Sequence, residues 1–109
     1  MPRTDGLPPG TLVMLILRVL ATEPLHGYAI AQRIAQHSND ELSVEEGSLY
    51  PALHRLDKAG FIDAEWTVTD NGRRARVYRL TREGRKRLKE IEESWATLTE
   101  GVKRVLRWA

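Results

Sequence analysis

Residues 45 to 62 read EEGSLYPALHRLDKAGFI, from Glu45 to Ile62. Leu49, Ala52, Leu53 and Leu56 recur at i, i+3, i+4 and i+7, so one stripe of a 3.6-residue helix is apolar and must pack on a core. The opposite face carries Ser48, Tyr50, Pro51, His54, Arg55 and Lys58, with Asp57 the only acid among them. Hydroxyls, a flat aromatic and cations suit a groove of phosphates and base edges, although a solvated surface helix carries the same residue types. Pro51 lacks an N–H and is tolerated in a first turn, so the helix is expected to begin near Glu46 to Ser48, with Ser48 a candidate cap. Gly60 is expected to end it in a left-handed conformation, and Phe61-Ile62 then leaves as apolar, strand-like chain.

Upstream, Met1 to Gly10 holds three of the five prolines and reads as an N-terminal arm. Thr11 is expected to cap a helix over Leu12 to Ala21. That helix is apolar nearly all round, more than one small core can cover, and this points to a partner chain over Leu15 and Val19. Glu23-Pro24-Leu25 breaks it. His26-Gly27-Tyr28 opens a second helix, with Tyr28, Ile30, Ala31, Ile34 and Ala35 expected inside and Gly27 permitting a tight entry. His37 to Glu41 reads as a loop and Leu42-Ser43-Val44 as a very short strand. Two helices, a short connection and a third helix make a helix-turn-helix core.

Downstream, Phe61 to Thr69 and Ala75 to Leu80 alternate as two strands around Asp70-Asn71-Gly72-Arg73-Arg74. Asn-Gly predicts a tight I′ hairpin turn, because both central positions need positive φ. An arginine-tipped hairpin directly after a helix-turn-helix is the wing of a winged helix. Thr81 can cap a last helix, with Glu83 well placed in its first turn. In that helix Leu88, Ile91, Trp95, Leu98, Val102 and Val105 are spaced 3, 4, 3, 4, 3, a narrow seam of the coiled-coil kind. The fold class is therefore mainly α with a small β-hairpin (α+β). Its expected parts are an arm over residues 1–10, a winged helix-turn-helix over 11–80 and a C-terminal dimerisation helix over 81–109.

The chain has 109 residues, enough for one core, and no cysteine, which excludes disulfides and thiolate metal sites or nucleophiles. The apolar run Leu12 to Leu17 stops at Arg18, far short of the roughly 20 residues of a membrane span, and no export signal is visible; a cytoplasmic, reducing location is expected. The formal charge of +2 is small but unevenly placed. Nine basic residues stand between Arg73 and Lys89 against Glu83 alone, whereas the first fifty residues are acidic on balance. No two histidines share a metal-ligand spacing, and no nucleophile has an adjacent base, so neither a metal, a cofactor nor an enzyme is expected.

HGYAIAQRI at His26 to Ile34, EEGSLYPALHRLDKAGFI at Glu45 to Ile62 and NGRRARVYRLTREGRKRL at Asn71 to Leu88 together resemble PadR-type transcriptional regulators of the short form, over about residues 11 to 107. The resemblance implies a bacterial cytoplasmic repressor that binds a palindromic double-stranded DNA operator as a homodimer. It places DNA contacts on Ser48, Tyr50, Pro51 and His54, with the neighbouring Arg55 and Lys58, and on the wing residues Arg73, Arg74 and Arg76. Val77 departs from the pattern, since such proteins often carry Lys or Tyr there, so position 77 is not counted as a phosphate contact. Some relatives release DNA when a phenolic or other aromatic compound binds, which makes a small aromatic effector a partner class to test.

Each of these residues also has a plainer reading. His54 is either a base or phosphate contact or a solvated histidine; His26 and His37 read as a helix start and a loop residue. Tyr28 and Tyr78 read as core, Trp66 as hairpin packing and Trp108 as C-terminal closure. Trp95, in the middle of the seam, is either dimer packing or one wall of a flat slot for a planar ligand at a two-fold axis. The rival function is a winged helix used as a protein-interaction module. Such a module has no reason to gather Arg73, Arg74 and Arg76 at a hairpin tip.

Overall fold

The computed structural model describes Leu7 and residues 10–108, so the expected arm falls outside the described residues apart from Leu7 and Gly10. The elements run α1 Thr11–Leu20, β1 Leu25–His26, α2 Gly27–His37, α3 Glu46–Lys58, β2 Ile62–Val68, β3 Arg74–Leu80 and α4 Arg82–Trp108. The three strands form an antiparallel sheet in the order β1-β3-β2. This is the expected α+β architecture, three helices and a hairpin followed by one long helix.

The core is the meeting place of the apolar stripes. Ile16 and Leu17 of α1, Ile30 of α2, Leu49, Ala52 and Leu53 of α3 and Ile62 of β2 are at most 1% exposed. Leu88 of α4 lies in the same cluster, with Ile91 packed against it. Burial of each such aliphatic side chain is worth about 1.5–3 kcal/mol, and these few positions dominate the stability of the fold.

The ends of α3 obey different rules. Glu45, in extended conformation, is the N-cap, and its carbonyl accepts from the amides of Ser48 at 3.0 Å and Leu49 at 2.9 Å. Ser48 thus lies inside the first turn rather than capping it. Pro51 sits in the second turn, one turn later than expected, and the carbonyl of Gly47 loses the amide that would bond it. Gly47 and Pro51 both lie on the exposed side of α3. The C-terminus stops as expected. Gly60 has φ 83°, its amide bonds the Asp57 carbonyl at 3.0 Å, and the Phe61 amide bonds Leu56 at 3.0 Å, the paired closure that left-handed glycine permits.

Four expectations change in the fold. Leu42–Val44 forms no strand; the third strand is Leu25–His26, which pairs Tyr78 and Val77 on the free edge of β3. Thr11 begins α1 rather than capping it, the N-cap being Gly10 at φ 85°. The hairpin turn is not I′, because Gly72 has positive φ and Asn71 does not. Instead the Gly72 amide bonds the Thr69 carbonyl at 2.9 Å and the Thr69 amide bonds the Arg73 carbonyl at 2.7 Å. That is a three-residue loop with one left-handed glycine, held by the Asn71 side chain, which bonds the Thr69 hydroxyl and the Arg73 amide. Leu88, finally, is 4% exposed within its own chain and so leaves the expected intermolecular seam.

Thr81 does cap α4, its hydroxyl accepting from the Gly84 amide at 3.0 Å and donating to the Gly60 carbonyl at 2.7 Å. The first turns of α4 lie along α1, where Arg18 and Glu92 pair at 3.6 Å. Past Ile91 the helix leaves the core. The radius of gyration, 15.3 Å, exceeds the roughly 13 Å of a compact chain this long because α4 projects.

Candidate nucleic-acid interface

Because Leu49, Ala52, Leu53 and Leu56 turn inward, α3 must turn Tyr50, Pro51, His54, Arg55 and Lys58 outward; Tyr50, Pro51, His54 and Arg55 are exposed, and Ser48 is half-buried. Arg55 and Lys58 also sit in the last turn, where cations offset the helix dipole whatever else they do. Beside this face stands the wing. Arg73 and Arg74 are exposed at its tip, beside an exposed Asp70.

Between α3, the start of α2 and the wing lies a cleft of about 410 Å³, walled by Tyr28, Tyr50, His54, Trp66, Arg76 and Tyr78 among others. Gly27 lets the cleft close at one end. A Cβ there would stand 2.8 Å from Tyr50 Cε1 and 3.0 Å from its hydroxyl, so the tyrosine ring lies directly on the first residue of α2. Gly27 has no left-handed backbone to serve a tight entry; the space that it leaves is taken by a ring from another helix. His26 precedes it as N-cap, its ring Nδ1 3.4 Å from the Arg76 carbonyl.

Strand alternation decides which wing residues face α3. Arg74, Arg76 and Tyr78 share one face of β3, opposite Val68, Trp66 and Ala64 of β2. The Arg74 guanidinium lies 4.8 Å from the Trp66 ring centre, and that of Arg76 lies 5.6 Å from Trp66 and 5.8 Å from Tyr78. Arg76 also pairs with Asp57 of α3 at 3.5 Å. Of the three wing arginines expected to contact DNA, Arg73 stands exposed at the tip, Arg74 rests on Trp66, and Arg76 is turned toward the recognition helix.

Tyr78 is buried as expected. Burial pushes its phenol above the ordinary tyrosine value, opposed by the positive Arg76, while Tyr50 and Asp57 add to the rise. The neutral phenol is therefore favoured by the fold. Its contribution is complete below about pH 10 and is lost as pH climbs through the raised folded value. Tyr78→Phe should flatten the fall of stability above about pH 10 seen in denaturant midpoints of the parent. An unchanged alkaline slope would assign that fall to other groups.

Other expected residues fall differently. Tyr28 is 68% exposed, because it lies on the outer side of α2 at the mouth of the cleft. Trp66, also exposed, packs with arginines rather than with the core, and Trp108, 84% exposed, closes nothing within its own chain. Arg79 pairs with Glu65 at 2.8 Å and Arg87 with Glu90 at 3.5 Å, which reduces the field of the basic run, while Arg82, Arg85, Lys86 and Lys89 are exposed along the start of α4. Gly27, Tyr28 and Trp66 are the residues that sequence reasoning missed as parts of this surface, whereas Asp57 was read on the outward face of α3 without its partner Arg76. The residue opposite Trp66 was not legible, because the expected two-residue turn would set it against Val77 and the observed three-residue loop sets it against Arg76.

A second surface lies elsewhere. Trp95, Leu98, Val102 and Val105, with Leu106 and Trp108, leave an apolar strip exposed along the projecting part of α4. Leu15 and Val19 of α1 line an open groove of about 480 Å³ with Ile34 and Leu42. Among the described residues no group of acids and histidines is arranged to hold a metal, and no helix is long and apolar enough to cross a membrane.

Residues 16–90 match the profile of the Transcriptional regulator PadR-like family. Transcriptional regulator Rv3488 of Mycobacterium tuberculosis is 41% identical over 87 residues, which cover 80% of this chain and 78% of that protein. Among solved structures, a PadR family transcriptional regulator from Eggerthella lenta superposes with TM-score 0.78 at 38% identity, covering 89% of this chain and 82% of the other. A transcriptional regulator from Clostridium thermocellum superposes with TM-score 0.81 at 28% identity, covering 87% and 92% respectively. The outward face of α3, the arginine-tipped hairpin beside it and these likenesses agree: the chain belongs to the PadR-like family of transcriptional regulators, and is a DNA-binding regulator rather than an enzyme.

Proposed function

We propose that the protein is a cytoplasmic repressor that binds a palindromic operator as a homodimer. In this reading α3 lies in the major groove with Ser48, Tyr50, Pro51, His54, Arg55 and Lys58 toward bases and phosphates, and Arg73 and Arg74 follow the flanking backbone or minor groove. The observation that carries it is the segregation of surfaces: cations and hydrogen-bonding groups of α3 and the wing share one side, while the apolar strip of α4 lies on the projecting end. A protein-interaction module would not need the exposed arginine tip.

The apolar strip supports the dimer. Trp95, Leu98, Val102 and Val105 of one chain, laid on the matching strip and on the Leu15 and Val19 groove of the other, would bury about 2,000 Å² in total, the range of obligate homodimers. Two α3 helices would then stand about 34 Å apart, with half-sites about 10 base pairs apart. Trp95 is 38% exposed in this strip, so at the dimer axis two indoles would flank a flat slot suited to a planar aromatic effector.

Binding is tested by titrating the full chain with the duplex lying directly upstream of its own coding region and with a random duplex of equal length, over a salt series. The parent should prefer the upstream duplex. Replacing both Arg73 and Arg74 with Ala should weaken both duplexes about equally and flatten the salt dependence by a slope of about 0.9 for each phosphate left without its cation. An unchanged affinity and slope would remove the wing tip from the DNA-binding surface. Equal affinity of the parent for both duplexes would count against an operator in that region.

A further inference from the structure

The resemblance turns Arg76 toward DNA, and the fold gives it other partners. On the α3 side its guanidinium lies 3.5 Å from the Asp57 carboxylate. On the wing side it lies between the rings of Trp66 and Tyr78, and Trp66 in turn carries Arg74, so aromatic rings and cations alternate from the core edge to the wing tip. Its Nε is buried and has no hydrogen-bond partner among the described residues. A guanidinium placed this way is weakly hydrated, planar and stacked, roles that a lysine ammonium fills poorly. A phosphate would compete with Asp57 for the same guanidinium.

We propose that Arg76 is a positioning residue: with Asp57 as its anchor on the recognition helix and Trp66 as its platform on the wing, it sets the angle of the wing to α3 and thereby where Arg74 meets DNA. At the base of the hairpin, next to the end of α3, Ile62 and Leu80 face each other. The clamp lies further out along β3 and makes the wing and the recognition helix one rigid reading head. Asp57, an acid in the C-terminal half of α3 beside the wing, is retained against the electrostatic preference of a DNA-binding surface because it holds the wing.

The inference rests on the DNA-binding reading, and its test separates the two. Arg76→Gln, Asp57→Asn, the double variant and Arg76→Lys are titrated as full chains with the upstream and random duplexes over a salt series, and amide exchange of the β2–β3 hairpin is followed without DNA. A clamp predicts that the two single variants each lose about tenfold in affinity for the upstream duplex, that the double variant loses no more than the worse single one, and that Arg76→Gln and Asp57→Asn change the salt slope by the same amount, since both act through Arg74. Arg76→Lys should be as damaging as Arg76→Gln, and Asp57→Asn should speed hairpin exchange although it lies outside the hairpin. The proposal is overturned if Arg76→Gln lowers the salt slope by about 0.9 while Asp57→Asn leaves binding unchanged or tighter and lysine restores it, the pattern of a phosphate contact. It is overturned equally if hairpin exchange is the same in Asp57→Asn as in the parent, a result that counts whether or not the parent binds the chosen duplex.

Discussion

Changing Leu98 and Val102 together to Asp should turn a dimer into a monomer in sedimentation and cost about 10²–10⁴-fold in operator affinity, since a protomer bound to a single half-site lacks the effective concentration of its tether. Neither side chain is needed by the protomer's own fold, as Leu98 is 58% and Val102 48% exposed there. A buried carboxylate without a partner costs several kcal/mol, and two from each chain exceed what a strip this size contributes. Circular dichroism should be nearly unchanged, because the core ends near Ile91. A parent chain that sediments as a monomer at micromolar concentration and still holds its operator tightly would sink both the dimer and the palindrome. Trp95→Ala is milder, removing packing without inserting charge, and should leave a weakened dimer.

The second large effect is expected at a glycine that helix propensity alone would misjudge. Gly84 lies in the first turn of α4, where replacing glycine by alanine ordinarily stabilises by about 0.5–1 kcal/mol. Here a Cβ would stand 1.9 Å from the Phe61 carbonyl oxygen and 2.7 Å from Leu80 Cδ1. The Phe61 oxygen is not free to retreat. It accepts the Thr81 amide at 3.2 Å, while the Thr81 hydroxyl holds Gly60 and Gly84 together. Gly84→Ala should therefore destabilise by about 3 kcal/mol or more, at or above the upper end of ordinary overpacking, and loosen the junction from which both the wing and α4 emerge. Gly101 is the contrast, with no atom within 4 Å of its would-be Cβ. Urea midpoints of the two alanine variants should move in opposite directions; a Gly84→Ala protein as stable as the parent would mean that this junction yields easily.

The sequence by itself determined most elements whose cause lies within a few residues, though not the caps of α1 and α3 or the turn of the wing. The stripe Leu49, Ala52, Leu53, Leu56 makes α3 and orients it, Gly60 stops it, alternation on either side of Asp70-Asn71-Gly72 makes the wing, and Thr81 starts α4. Helix periodicity and the left-handed glycine that stops a helix are local chemistry, so they can be read without neighbours. The outward residues of α3 follow at once, because a helix that buries one face must expose the other.

What only the tertiary structure decided are pairings between distant segments. Leu25–His26 became the third strand because the free edge of β3, some fifty residues later, accepts it; Leu42–Val44 alternates equally well but meets no open edge. Tyr28 went outside because the packing of α1 and α3 chose which side of α2 to cover, and Leu88 went into its own core because α4 meets α1 before it departs. Arg76 carries the same lesson to the DNA-facing surface: composition marks it as one more cation, and only the approach of Asp57 and the rings of Trp66 and Tyr78 give it a different task. The charge of a side chain is written in the sequence, but the partner that neutralises it is chosen by the fold.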